Sequence, residues 1–216
     1  IYNTFLLTGV SLLMSCIGIA FQVWLVGRIG SAGIGLYQLV LSVTGLAMTF
    51  AISGIRFAST RLISEELGAL NCAGIRAAMR RCLGYALFFG LAAGLILWTL
   101  AEPIGFLWIG DARTVRSLRL SAVSMPCAAL CAALSGYFTA CGRVWKPSAV
   151  HLAEQLVGIA LVALCLARVP TEDIELSCAA VTLGRVIADV VSLTLMLAVY
   201  TDDRRRHYGE CGGGQR

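Results

Sequence analysis

Charged residues are scarce in this chain. They make up 13% of its 216 residues, whereas hydrophobic residues make up 58%. A water-soluble domain carries about 25% charged residues, so this composition excludes an ordinary soluble domain. Proline is also rare, with 4 residues in all, and few positions therefore interrupt a helix. The remainder is long apolar sequence, which indicates a membrane protein.

Six apolar stretches account for most of the chain. They are residues 5–27, 36–55, 82–101, 118–141, 148–168 and 176–200. Each is roughly twenty residues long, which is enough to cross the hydrocarbon core of a bilayer. Because a segment in lipid must satisfy its own backbone hydrogen bonds, we predict that every stretch is a helix. The predicted fold is an all-α polytopic membrane protein with a six-transmembrane-helix bundle.

The cysteines do not form a metal or redox motif. None of the 9 stands in a C-x-x-C pair or in a Cys/His cluster with metal-ligand spacing. Most lie inside apolar stretches, where cysteine serves as a small packing residue. The sequence also lacks a Ser/His/Asp set, paired carboxylates and a phosphate-binding loop, so we predict no enzyme activity, no cofactor and no metal site.

Basic residues are distributed unevenly among the segments that join the stretches. One alternating set contains most of them: Arg56, Arg61, Arg76, Arg80, Arg81, Arg143, Lys146, Arg204, Arg205, Arg206 and Arg216. Because basic loops stay in the cytoplasm, this set predicts that both termini are cytoplasmic. The net charge of +5 then reflects membrane orientation, and a nucleic-acid partner is not predicted.

Two charged residues interrupt the last apolar stretch. Arg185 and Asp189 are four residues apart, so they share one face of a helix and are able to pair. Charges inside a bilayer are costly, and they face either a partner or a water-filled cavity. The two alternatives are an internal ion pair that neutralises itself and a pair of groups that line a substrate cavity.

Further polar residues lie in the first and fifth stretches. His151, Glu154 and Gln155 share one helix face, and Gln22 lies midway along the first stretch. The group around Glu154 either lines a cavity or is satisfied by water near the cytoplasmic end of its helix. Both interpretations stay open for this group.

Four sequence stretches together resemble a known family. They are RIGSAGIGLYQLV at 28–40, SGIRFASTRLISEELG at 53–68, AEPIGFLWIGD at 101–111 and SGYFTACGRVWKPSAVHLAEQLV at 135–157. They are similar to the stage V sporulation protein B-like polysaccharide flippases, within the multidrug/oligosaccharidyl-lipid/polysaccharide flippase superfamily. The first of these stretches is expected to be a Gly-rich external turn between the first two helices.

The resemblance implies a transport function in a bacterial cytoplasmic membrane. Relatives move lipid-linked oligosaccharides or peptidoglycan precursors by alternating access between two helical lobes. Residues 1–205 correspond to the amino-terminal lobe, with 206–216 as a cytoplasmic tail. The expected partners are a lipid-linked glycan, membrane lipids and a carboxy-terminal lobe, and the chain is expected to be a fragment, a truncated reading frame or half of a transporter.

The resemblance also bears on individual residues. Relatives often carry basic residues in the first helix, where this chain has Cys16 and Gln22. A proline common in the second stretch is replaced by Arg56, which is either a head-group contact or a cytoplasmic anchor. Glu154 and Gln155 match a Glu-Gln pair of the family. The candidate cavity residues are Gln22, Arg56, Glu154, Gln155, Arg185 and Asp189.

Two other functions remain alternatives to the flippase. A drug or cation antiporter of the same fold would use an embedded carboxylate, for which Asp189 and Glu154 are the candidates. A membrane accessory subunit without transport is the third class. The Gly-Leu-Tyr-Gln sequence at 35–38 favours the flippase.

Overall fold

The computed structural model describes residues 2–52, 54–69, 72–168 and 174–208, and almost all of them are helical. The helices are α1 (Tyr2–Ile52), α2 (Ile55–Gly68), α3 (Cys72–Pro103), α4 (Thr114–Ala140), α5 (Trp145–Ala167) and α6 (Ile174–Tyr208). A π-helical turn, Ile104–Ile109, follows α3. The prediction of an all-α polytopic membrane protein is confirmed.

The predicted number of six separate membrane helices is wrong. In the described part of the chain, 5 helices are long and apolar enough to cross a membrane. The difference lies in α1, which joins the two stretches predicted at 5–27 and 36–55 without a loop between them. Only Gly30 departs from helical geometry there, with φ 77 and ψ 171, a conformation that glycine adopts without steric cost.

The break at Gly30 reverses the direction of the chain. Met14 and Met48 lie on opposite sides of it, yet they line cavities that both contain His151 and Glu154. In a straight helix, positions so far apart in sequence would be separated by about 50 Å. The chain therefore folds back within α1, and each half is long enough for one crossing.

Two other predicted segments can be located. The predicted basic segment that contains Arg61 and Arg76 comprises the separate helix α2 and the start of α3, and Gly54 (φ 78) separates α2 from α1. The tail expected at 206–216 begins inside α6, which extends to Tyr208. Residues 209–216, and residues 169–173 between α5 and α6, lie outside the described residues.

Small residues bring α3 and α4 into close contact. A Cβ added at Gly90 would lie 2.7 Å from the Cα of Pro126, and one added at Gly94 would lie 2.8 Å from the carbonyl oxygen of Ala122. Membrane helices use small residues in this way to increase van der Waals contact. Gly84 differs, since it is exposed and an added Cβ would meet no atom within 4 Å.

We expect the same substitution to have opposite effects at Gly90 and Gly84. Gly90→Ala forces a methyl group against the backbone of α4 and should destabilise the protein by about 1–3 kcal/mol. Gly84→Ala only removes backbone freedom in a helix and should stabilise it by up to ~1 kcal/mol. Thermal unfolding in detergent measures both, and equal effects of the two variants would contradict the close contact between α3 and α4.

A buried carboxylate joins three helices at one end of the bundle. Asp203 of α6 is 1% exposed and accepts a hydrogen bond of 3.1 Å from the hydroxyl of Tyr137 on α4. It also forms ion pairs with Arg143, in the turn after α4, and with Lys146 at the start of α5. Ile63 of α2 packs in the same cluster as Tyr137. The basic segments predicted to share one side of the membrane are therefore close together in space.

Removing the charge of Asp203 should destabilise the bundle strongly. Asp203→Asn leaves Arg143 and Lys146 without their buried partner, and breaking such a group costs about 3–5 kcal/mol. The matched control is Glu65→Gln, because Glu65 forms an ion pair with Arg61 in which both side chains are mostly exposed. That change should cost less than about 1 kcal/mol. The measurement compares the unfolding curves of the two purified variants. If the curves of Asp203→Asn and Glu65→Gln coincide, Asp203 does not hold the helices together.

Candidate functional site

Two neighbouring chambers lie inside the bundle: α1, α5 and α6 line both, and α2 and α4 also line the smaller one. The larger has a volume of about 450 Å³ and the smaller about 200 Å³. His151, Glu154 and Arg185 line both chambers. The larger chamber adds residues from the first half of α1, including Ser11 and Met14, whereas the smaller adds residues from its second half. The fold-back of α1 therefore creates a polar site that faces both of its halves.

Glu154 occupies the centre of this site. Its side chain is 19% exposed, and its Oε2 atom accepts a hydrogen bond of 2.7 Å from the hydroxyl of Ser192 on α6. The same oxygen lies 3.2 Å from Nδ1 of His151, one helical turn earlier on α5. Glu154 thus connects α5 to α6 at the level of the chambers. The polar helix face that the sequence predicts, with His151 and Glu154 on it, is the face of α5 that lines them.

Gln155 connects α5 to α1. Its Nε2 atom donates a hydrogen bond of 3.0 Å to the carbonyl oxygen of Met14. A Cβ at Gly18, one turn further along α1, would lie 3.5 Å from the same Nε2 atom. Neighbouring residues on α5 therefore bind different helices, with Glu154 facing α6 and Gln155 facing the first half of α1.

Arg185 and Asp189 do not form the internal ion pair that was one of the two alternatives. No such pair is present among the ion pairs of the described residues. Both residues instead line the smaller chamber, and Asp189 is adjacent to Ser124 of α4. Arg185 therefore contributes a positive charge to both chambers. It is close enough to Asp189 and Glu154 to attract both carboxylates, but it forms an ion pair with neither.

The two remaining candidates occupy different places. Arg56, at the start of α2, is exposed and lines the smaller chamber. Gln22 is exposed and lines neither chamber. The structure therefore groups five of the six candidates around one site and places Gln22 on the outer surface of α1.

Two polar residues of the site are absent from the candidate set. Ser192 lies seven residues after Arg185 and three after Asp189, a spacing that keeps all three on one face of α6. His151 shares a face with Glu154 and lines both chambers. Helical periodicity alone indicates both residues, but their contact with Glu154 depends on how α5 and α6 pack.

Comparison with known proteins identifies the family. Residues 7–164 match the family model described as MatE, which is more than half of the chain. The chain belongs to the MatE family. Over 214 residues it is 24% identical to stage V sporulation protein B of Bacillus subtilis (strain 168). The match covers 95% of this chain but 40% of that relative, so the chain spans less than half of the relative's length. No solved structure matches the chain.

These matches confirm the resemblance inferred from the four sequence stretches. The MatE match extends over α1 to α5 and ends at residue 164, within α5. It therefore includes most groups that line the two chambers, among them Arg56, Glu154 and Gln155. Arg185, Asp189 and Ser192 lie on α6, beyond the matched residues but within the similarity to the B. subtilis protein.

The site of this MatE-family chain combines positive and negative groups inside the bundle. Arg185 and Arg56 offer guanidinium groups, which bind phosphate oxygens through several hydrogen bonds. Glu154 and Asp189 offer carboxylates in the same chamber, and carboxylates inside membrane proteins are often sites for protons or cations. The arrangement is suited to binding a polar or anionic molecule at membrane depth.

We expect the hydrogen bond between Ser192 and Glu154 to contribute measurably to stability. Ser192 is 1% exposed, so Ser192→Ala leaves the carboxylate of Glu154 with one donor fewer. We expect the free energy of unfolding to fall by about 1–2 kcal/mol. Hydrogen bonds to charged groups are stronger than those between neutral groups, but hydrogen bonds between helices in membranes are weaker on average, so the expected value lies between the two.

Ser15→Ala is the matched control. The Ser15 hydroxyl is exposed and bonds only to the carbonyl oxygen of Ser11 in its own helix, so the change should cost less than about 0.5 kcal/mol. Both variants are compared by thermal unfolding in detergent. If Ser192→Ala is as stable as the unmodified chain, Ser192 does not support Glu154.

Proposed function

We propose that this chain is the amino-terminal lobe of a flippase in a bacterial cytoplasmic membrane. The substrate is a lipid-linked oligosaccharide or a peptidoglycan-precursor type of molecule, which crosses by alternating access between two lobes. The observation that carries this proposal is Arg185, which lines both chambers and forms no ion pair with Asp189. Its guanidinium group is placed to bind the phosphate of an anionic head group.

The proposed orientation has both termini in the cytoplasm. The support is the basic end of the bundle, where Arg143 and Lys146 surround Asp203 and α2 packs nearby. Basic residues accumulate on the cytoplasmic side, where they attract anionic lipid head groups. Arg56 lies between this end and the smaller chamber, so in this proposal it is the first chamber residue that an entering head group meets.

A second lobe is part of the proposal. Transporters with internal repeats bind their substrate between the repeats, and the chambers of a single lobe provide one wall of such a site. The stage V sporulation protein B relative is more than twice as long as the matched region. We infer that a carboxy-terminal lobe completes the cavity and that the present lobe rocks against it as a unit.

A proton- or cation-coupled drug antiporter is the second candidate. Glu154 and Asp189 line the same chamber, and a chamber with two carboxylates is suited to cation exchange. An accessory subunit without transport is the third candidate, and it requires that the chain acts with no second lobe.

Replacing Arg185 should reduce flipping. The reading frame is followed beyond the codon for Arg216, and the complete product is reconstituted in vesicles with a fluorescent lipid-linked oligosaccharide. Arg185→Gln should lower the apparent affinity for the substrate about 10- to 100-fold, which corresponds to one charge-assisted hydrogen bond. The matched control is Arg28→Gln, because Arg28 stacks on Trp24 near the fold-back of α1 and lines neither chamber.

One outcome would exclude Arg185 from the substrate path, and two others would contradict the flippase. Unchanged flipping in Arg185→Gln would remove Arg185 from the substrate path. The antiporter would be favoured if the protein exports a cationic dye and does not flip lipid. That export should depend on a pH gradient and be abolished by Asp189→Asn. The accessory subunit would be favoured by three observations together: a stop codon follows Arg216, no second lobe co-purifies, and the chain alone does not flip the lipid.

A further inference from the structure

A third cavity lies on a different surface of the bundle. It has a volume of about 430 Å³ and is formed by α4, α5 and α6. The residues that define it are Arg116, Leu120, Leu164, Arg168, Ala180 and Leu183. It lies towards the start of α4 and α6 and the end of α5, which is the opposite end of the bundle from Asp203. We call this cavity the α4–α6 groove.

The α4–α6 groove is separate from the proposed substrate chambers. On α6 the groove uses residues 176, 179, 180 and 183, whereas the chambers use residues 185, 189 and 192. At about 100° per residue the two sets point in directions about 180° apart. The groove therefore opens on the face of α6 opposite the chambers. Because it shares no lining residue with them, its role does not depend on the proposed function.

The shape of the groove is suited to hydrocarbon chains. Its floor consists of the small buried residues Ala179 and Ala180 on α6. Leu164 and Leu183 border it and are 59% and 40% exposed. Small residues between larger apolar ones leave a cleft along the helix axis, and within a bilayer such a cleft is filled by acyl chains.

Two arginines line the polar end of the groove. Arg116 and Arg168 are exposed and both line it, and no carboxylate is among its lining residues in the described chain. Other arginines at this end have identified contacts, since Arg119 pairs with Glu102 at 2.6 Å and Arg113 lies 4.0 Å from Asp111. Two guanidinium groups from different helices at the mouth of an apolar cleft complement a phosphate attached to acyl chains.

We propose that the α4–α6 groove binds an anionic phospholipid of the surrounding bilayer. The acyl chains lie along the cleft between Leu164 and Leu183, and the head-group phosphate lies between Arg116 and Arg168. The ligand comes from the leaflet at the end of the bundle opposite Asp203. Because this end is the one with fewer basic residues, the two arginines are not explained by the rule that places basic residues in the cytoplasm.

The test measures lipid binding to the purified full chain by native mass spectrometry. Phosphatidylglycerol and phosphatidylcholine with identical acyl chains are added to the detergent-solubilised protein. We expect tighter binding of phosphatidylglycerol, a decrease of about fivefold in its affinity for Arg116→Gln or Arg168→Gln, and a decrease of about 25-fold for the double variant. Affinity for phosphatidylcholine should change less than twofold.

The matched control is Arg113→Gln, which removes a charge at the same end of the bundle but outside the groove. It should leave the affinity for phosphatidylglycerol within twofold of the unmodified chain. All variants replace exposed side chains, and circular dichroism confirms that each remains helical before binding is measured.

Several results would overturn the proposal. Equal affinity of the unmodified chain for the two lipids would exclude recognition of an anionic head group. An unchanged double variant, or an equal loss in Arg113→Gln, would show that the two groove arginines are not the binding site. A polyprenyl pyrophosphate that displaces phosphatidylglycerol and depends on the same arginines would assign the groove to a carrier lipid instead of a bilayer phospholipid.

Discussion

The requirement that each backbone segment satisfies its own hydrogen bonds in lipid determines most of this structure. Helices are the way in which a single segment meets this requirement, and the described residues are almost entirely helical. The chain can change direction only where the helix is interrupted. Among the described residues, four glycines with positive φ mark such places: Gly30, Gly54, Gly110 and Gly142. They lie at the fold-back of α1 and at the junctions before α2, α4 and α5, so glycine permits the change of direction at these four positions.

The same requirement governs the polar side chains. Inside the bundle a polar group must find a partner on another helix or face a cavity, and the residues around the chambers do both. Glu154 binds Ser192 on α6, and Gln155 binds the backbone of α1, so the residues that line the site also hold its walls in place. Arg185 has no such ion pair among the described residues. In the function that we propose, Arg185 is therefore the residue that binds the anionic head group.

The sequence was sufficient for the membrane class and for the positions of most helices, because span length and apolar composition follow directly from bilayer thickness. It was insufficient for the helix count, since a single non-helical residue at Gly30 replaces the expected turn. Periodicity placed Glu154 on one helix face with His151, and Asp189 on one face with Arg185, but it did not show what those faces contact. For Gln22 periodicity gave no face at all, because the sequence of α1 around it is almost uniformly apolar. The contacts of Asp203 could not be predicted from the sequence either, because they join residues about sixty positions apart.

The arrangement around α6 relates the two sites to one another. Helices α4 and α5 each pack extensively on α6 but touch each other little, so α6 holds the two together. The polar chambers lie on one face of α6 and the α4–α6 groove on the opposite face. At the end near Asp203, ion pairs join α6 to α5 and to the turn after α4. At the other end, the space between these three helices is the α4–α6 groove. A lipid in the groove would therefore complete the packing where side chains do not. In the function that we propose, this packing lets the lobe move as one unit while access to the chambers changes.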